Sequence, residues 1–188
     1  MAGHLQAPPY SDPLQRIRRN SQWMVWACIA IIVSLPLAHI GYWASVSGAD
    51  LAVQGTLPSM AIQQPLQVWQ RLAAGATLGL PLALMLAGVW QARCCFAHFA
   101  QGLVFTAQVA RNLRNAAGYM ALAGGAAILC GAAASAILTW GNAPGTRQLS
   151  FAISSNHIFT LFFAALVWMV ADVIAKGCAL AEENESFV

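Results

Sequence analysis

A chain of 188 residues in which 59% are hydrophobic and only 8% are charged cannot coat a water-soluble fold of its size, because soluble domains carry roughly 25% charged residues. The mean hydropathy of +0.63 argues instead for one domain solvated largely by lipid. The formal net charge of +3 is modest, and its members avoid four long stretches almost completely.

Residues 1–22 form a segment that ends in Arg16, Arg18 and Arg19. The first apolar stretch, Trp23 to Trp43, follows it without a formal charge. That is about the length needed to cross roughly 30 Å of hydrocarbon. Pro36 lies inside it and would break a helix in water, but lipid penalises unsatisfied backbone so strongly that a bent, continuous helix is expected. Ser47 and Ala49 offer a small-x-small pattern of the kind that follows a signal sequence. The apolar run exceeds the roughly 7–15 residues of a signal core, so an uncleaved anchor is the reading preferred. Ser45 to Arg71, with Gly48, Asp50, Gly55, Pro58 and Pro65, reads as a loop. A second span covers about Leu72 to Ala92, a third Ala116 to Trp140 and a fourth Ile158 to Cys178. Gly141 to His157, with Asn142, Pro144, Gly145 and Asn156, is the second loop of this kind. Residues 179–188 form an acidic tail. The fold expected is an all-α membrane bundle of four transmembrane helices.

Positively charged flanks are retained in the cytoplasm during insertion. Arg16, Arg18, Arg19, Arg93, Arg111, Arg114 and Lys176 fall on one side, and only Arg71 and Arg147 on the other. Both termini are therefore expected in the cytoplasm and the two Gly/Pro-containing loops outside. Trp23, Trp26, Trp90 and Tyr119 would form the inner aromatic belt, and Tyr42, Trp43, Trp69 and Trp140 the outer one. Cys28, Cys94, Cys95, Cys130 and Cys178 all avoid the two outer loops, so no structural disulfide is expected.

Lipid supplies no hydrophobic drive for helix association, and small residues must let backbones approach instead. In the second span Gly75, Gly79, Ala83 and Ala87 recur every four residues. Ala117, Ala121 and Gly125 form a similar stripe in the third, continued with a shift by Ala127, Gly131 and Ser135. Packing within one chain is favoured over a dimer seam, since two such helices can satisfy each other.

Between the second and third spans, Phe96, Phe99 and Ala100 continue the helical face, Gly102 interrupts it, and Thr106 can cap a new helix running through Arg111 and Arg114. Val104 and Phe105 would tuck into the interface. The run Phe96-Ala-His-Phe-Ala-Gln-Gly-Leu-Val-Phe-Thr106, followed by Arg111-Asn-Leu-Arg114 and Gly118, resembles the central signature of a bacterial membrane family catalogued as domain of unknown function 2975. Ala171-Asp-Val-Ile-Ala-Lys-Gly177 and Ala179-Leu-Ala-Glu-Glu-Asn184 resemble that family's closing motif. The likeness covers the chain from about residue 23 onward. This chain departs in carrying one basic residue, Lys176, where relatives tend to carry more, and in its Ala/Gly-rich third span. The resemblance implies four spans and a bacterial inner-membrane location but no chemistry. Members are often encoded beside small helix-turn-helix regulators, which implies such a regulator as a partner.

Asp172 is a carboxylate near the cytoplasmic border of the fourth span, where it could serve an ion path. Lys176 sits one turn later on the same face, so an ion pair, with Arg111 or Arg114 as further partners, is the stronger reading. His39 and His157 lie at the outer ends of their spans and could meet at a metal or haem iron. Cys94, Cys95 and His98 could face a zinc ion if Cys178 completed the set. Neither group has a spacing that demands a ligand, and helix-end hydrogen bonds and buried thiols are the default. No nucleophile elbow, phosphate-binding loop, paired carboxylates or nucleic-acid module occurs. Enzyme activity, a cofactor and direct nucleic-acid binding are therefore not expected.

Three functions fit the sequence. The leading one is a regulatory or accessory membrane protein that binds another protein through Phe99, Gly102, Phe105, Thr106, Arg111 and Arg114, together with the tail Glu182 to Glu185. The second is an oligomeric transporter or channel for a small solute using Asp172. The third is an accessory subunit of a larger membrane complex.

Overall fold

A computed structural model describes residues 13–47, 50–51, 57–58, 61–62, 65–103 and 105–185. Four helices dominate it: α1 (Pro13–Ser45), α2 (Val68–Ala100), α3 (Ala107–Leu138) and α4 (Ser155–Glu185). No strand occurs among the described residues. Each helix contains a stretch long and apolar enough to cross a membrane. At 31 to 33 residues, the helices reach about 47–50 Å, well beyond roughly 30 Å of hydrocarbon. Hydropathy marks only the apolar middle of such a helix, while the backbone hydrogen bonds continue into the polar margins. α4 accordingly carries the acidic tail as helix as far as Glu185, and α3 ends at Leu138, short of Trp140. α1 runs unbroken through Pro36, and α2 through Pro81.

The helices pack in series, α1 on α2, α2 on α3 and α3 on α4. This makes an open row in which α1 and α4 form the flanks and α3 is the most buried member. Only the α2–α3 connection, residues 101–106, is short, and it joins antiparallel neighbours; the other two connections run over residues 46–67 and 139–154. The Ala/Gly-rich composition of α3 follows from its place, because it must admit a neighbour on two faces. Arg18 on α1 reaches the α2 end at Gln101, and Arg114 on α3 pairs with Asp172 on α4. The beginning of α1, the α2–α3 turn and the end of α4 therefore share one end of the molecule.

Glycines mark the seams. At Gly75 an added Cβ would lie 3.2 Å from the Trp43 ring, and His39 Nε2 stands 3.0 Å from the Gly75 carbonyl oxygen. Gly79 faces the same histidine. Ala83, expected to extend this stripe, is exposed. A four-residue spacing advances about 40° per step around a helix of 3.6 residues per turn, so the stripe leaves the α1 seam. Gly88 instead receives α3, at the Ala116 carbonyl and Met120. On α3, Gly118 lies under Trp168 and Gly124 under Thr160 and Leu161. Ala121 lines that seam, whereas an added Cβ at Gly125 would meet nothing within 4 Å. The close approach therefore falls one residue earlier than expected. Trp43 also departs from the expected belt: it is buried against Gly75, while Trp23, Trp26, Trp69, Trp90 and Trp140 are exposed.

The main core cluster sits at the end opposite the α2–α3 turn. Trp43, Ala74, Ala134 and Leu138 from three helices close around Leu51, Leu57 and Ala61 from the first loop. Polar side chains tie this cap down. Arg71 donates to the Val46 and Trp43 carbonyls at 2.8 and 3.3 Å, satisfying acceptors left over at the end of α1. Gln70 donates to the Ile137 carbonyl, and Asn142 to the Ala61 carbonyl at 2.7 Å. Beyond α3 the chain doubles back, with Gln148 and Ser150 amides donating to the hydroxyls of Thr139 and Ser135.

Candidate functional site

The turn joining α2 to α3 is built from two complementary caps. α2 closes with Gly102 at φ +86°, its amide donating to the Phe99 carbonyl and the Leu103 amide to the His98 carbonyl, both at 3.0 Å. This six-to-one and five-to-two pattern requires a left-handed residue, which glycine supplies without strain. Arg18 donates to the Gln101 carbonyl at 3.2 Å, and its guanidinium lies 2.9 Å from where a Gly102 Cβ would stand. α3 then opens with Thr106, whose Oγ1 accepts from the Val109 amide at 3.2 Å. Both ends of the turn are held by hydrogen bonds.

Between these caps, Phe105 is 80% exposed and Leu103 47% exposed. Val104 lies outside the described residues. Arg111 is exposed one turn into α3, and Phe99 packs edge-on to Phe96 with ring centroids 6.2 Å apart. Gly102, Phe105, Thr106 and Arg111 thus lie at the same end of the molecule. Arg114, expected on the same surface, is directed elsewhere. Its guanidinium stacks 4.8 Å from the Trp168 ring centroid and approaches Asp172 Oδ1 at 3.6 Å. The side chains of Glu182 and Glu185 are outside the described residues.

Asp172 therefore has its ion pair across the α3–α4 seam, and Lys176 forms none with it. The helical spacing of Asp172 and Lys176 allowed a pair, and both line the same groove, but the carboxylate is approached by Arg114 from the packed neighbour. With both Arg114 and Asp172 about half exposed, such a pair contributes ~0–1 kcal/mol in water. Trp168, the residue that orients Arg114, escaped sequence reasoning. Its signal was its place four residues before Asp172, one turn away on the same face. Beside this cluster runs an open groove of about 620 Å³ lined by Ala117 and Ala121 of α3 and by Ala164, Ala165, Trp168 and Asp172 of α4.

The histidines are not brought together. His39 is held at Gly75 on the α1–α2 seam, and His157 Nδ1 accepts from the Ser154 amide at the start of α4, on the far flank. His98 Nδ1 stands 2.7 Å from the Cys94 carbonyl oxygen. Cys95 is buried, and Cys178 is on α4, which packs on α3. Among the described residues no three His, Cys, Asp or Glu side chains converge.

No family model, curated protein or solved structure matches this chain. The functional reading therefore rests on its own geometry.

Proposed function

We propose that this chain is a multi-pass protein of the bacterial inner membrane, with both termini in the cytoplasm, that acts as a regulatory or accessory protein by binding another protein through the α2–α3 turn. The observation that carries this reading is the exposure of Phe105 on a turn capped at both ends and contacted at its α2 end by Arg18. A large exposed aromatic between two capped helix ends offers area for a partner to cover, and aromatic residues are enriched among interface anchors. Exposed Arg111 adds a charge beside the anchor. The excess of Arg and Lys at this end favours a cytoplasmic location. The resemblance to the domain of unknown function 2975 family makes a small helix-turn-helix regulator one candidate partner. In that case nucleic acid is contacted by the partner and not by this chain.

The test is affinity purification of tagged full-length protein from native membranes in mild detergent, in parallel with Phe105→Ala and Arg111→Ala. A protein recovered at fixed stoichiometry with the native chain and lost with Phe105→Ala is expected. Equal recovery with all three chains would place the binding surface elsewhere. A transport role would need more than one copy, because helices packed in a row surround no common axis.

A further inference from the structure

The groove along α3 and α4 ends in a cation, Lys176, that the Arg114–Asp172 ion pair leaves unmatched. Leu161, Ala165, Trp168, Met169, Asp172 and Lys176 lie on one face of α4, and Ala117 and Ala121 floor the groove from α3. From Lys176, two residues inside the cytoplasmic border expected at Cys178, to Ala165 is eleven residues, about 16 Å along a helix, close to half of the roughly 30 Å hydrocarbon thickness. At the end of this apolar slot stand two cations, Arg114 and Lys176, and one anion, Asp172. Among the described residues Lys176 has no carboxylate within salt-bridge distance. This stretch of the slot is about one leaflet long, and its Lys176 end, nearest the expected cytoplasmic border, carries one net positive charge.

We propose that this groove is a site for one anionic glycerophospholipid bearing a single phosphodiester charge, with an acyl chain laid along Ala121 and Ala165 and the phosphate held by Lys176 and Arg114. The proposal rests on the membrane reading but is independent of the partner-binding turn. A helix from a second copy fits the groove less well. In a two-fold dimer within one membrane, residues of equal depth face each other, which would set Arg114 and Lys176 of one copy against those of the other. A lipid phosphate neutralises the same mouth. The small side chains of Ala117, Ala121, Ala164 and Ala165 leave a depth that a chain of methylenes fills without displacing either helix.

The experiment is native mass spectrometry of the full-length protein released from nanodiscs of phosphatidylglycerol and phosphatidylcholine in equal amounts, with membrane fractionation run alongside. One phosphatidylglycerol is expected to be retained in preference to phosphatidylcholine. Lys176→Gln should lower its retention about five-fold, the factor equivalent to ~1 kcal/mol per cation near an anionic headgroup. Ala165→Phe, at an exposed position, fills the slot while keeping both cations and should lower retention at least as far. Equal retention of the two lipids overturns the site. So does sensitivity to Lys176→Gln without sensitivity to Ala165→Phe, which would indicate surface charge alone. A lipid-free dimer dissociated by Ala165→Phe would assign the groove to a second copy. Release of the protein from membranes by carbonate without detergent would instead overturn the membrane reading itself.

Discussion

At the end of the molecule that holds the described part of the first loop and residues 139–154, polar side chains close the chain on itself. At the opposite end they stand outward. Arg71, Gln70 and Asn142 each cross to a backbone carbonyl of another segment, and Leu51, Leu57 and Ala61 fill the space between three helices. At the other end, Phe105 and Arg111 are exposed, and Arg114 rests on Trp168 beside a loose ion pair. The two loops of the first end therefore act as structure, and the short turn of the second end as a presenting surface. A buried polar group must find its partner within the protein or destabilise it, whereas an exposed one is free to meet a ligand.

Substitutions at the two ends should separate stability from binding. The largest loss is expected for Leu51→Ala, since Leu51 is fully buried in the cap; a cost of about 2–5 kcal/mol should appear as a lowered thermal midpoint in detergent. A midpoint equal to the native one would mean the loop does not close the bundle. Asn142→Ala removes the tether to the Ala61 carbonyl and leaves a buried acceptor, at about 1–3 kcal/mol, with faster proteolysis of the first loop as the readout. At the opposite end, Gly102→Ala forces a side chain into the left-handed region and against Arg18, costing about 1–2 kcal/mol. Its distinguishing consequence is a drop in partner recovery larger than the drop in midpoint. Thr106→Ala should cost ~1 kcal/mol through the lost cap at α3, detectable as faster amide exchange at Val109. Smallest is Arg114→Gln, whose half-exposed pair with Asp172 contributes ~0–1 kcal/mol. Its midpoint should be nearly native, and a collapse of the fold would show that the α3–α4 seam depends on that pair.

Much of the α2–α3 turn was legible in advance, because its determinants are local. Gly102 as the left-handed stop and Thr106 as the cap are each recognised from residues within one turn. The role of Arg18 was not, since its acceptor at Gln101 lies on another helix and a basic flank reads equally well as a topogenic signal. Trp43 looked like a belt aromatic for the same reason. Only its juxtaposition with Gly75 makes it core. Asp172 had two sequence-plausible partners, and choosing Arg114 required knowing which helix packs on α4.

The sequence by itself determined that four helices form, which residues stop and start them at Gly102 and Thr106, and which end gathers most of the positive charge. Those properties are set by hydropathy, by local hydrogen bonding and by charge placement along the chain. Tertiary structure decided that the helices lie in an open row with α3 inside it, that the first loop is a buried cap, that Gly124 and not Gly125 meets α4, and that Arg114 joins Asp172 and Trp168 at the mouth of a groove. In lipid, helix association depends on close fit and on a few interhelical polar contacts, and those depend on the rotation of each helix about its axis. A periodic pattern of small residues leaves that rotation open until the neighbouring helix is in place.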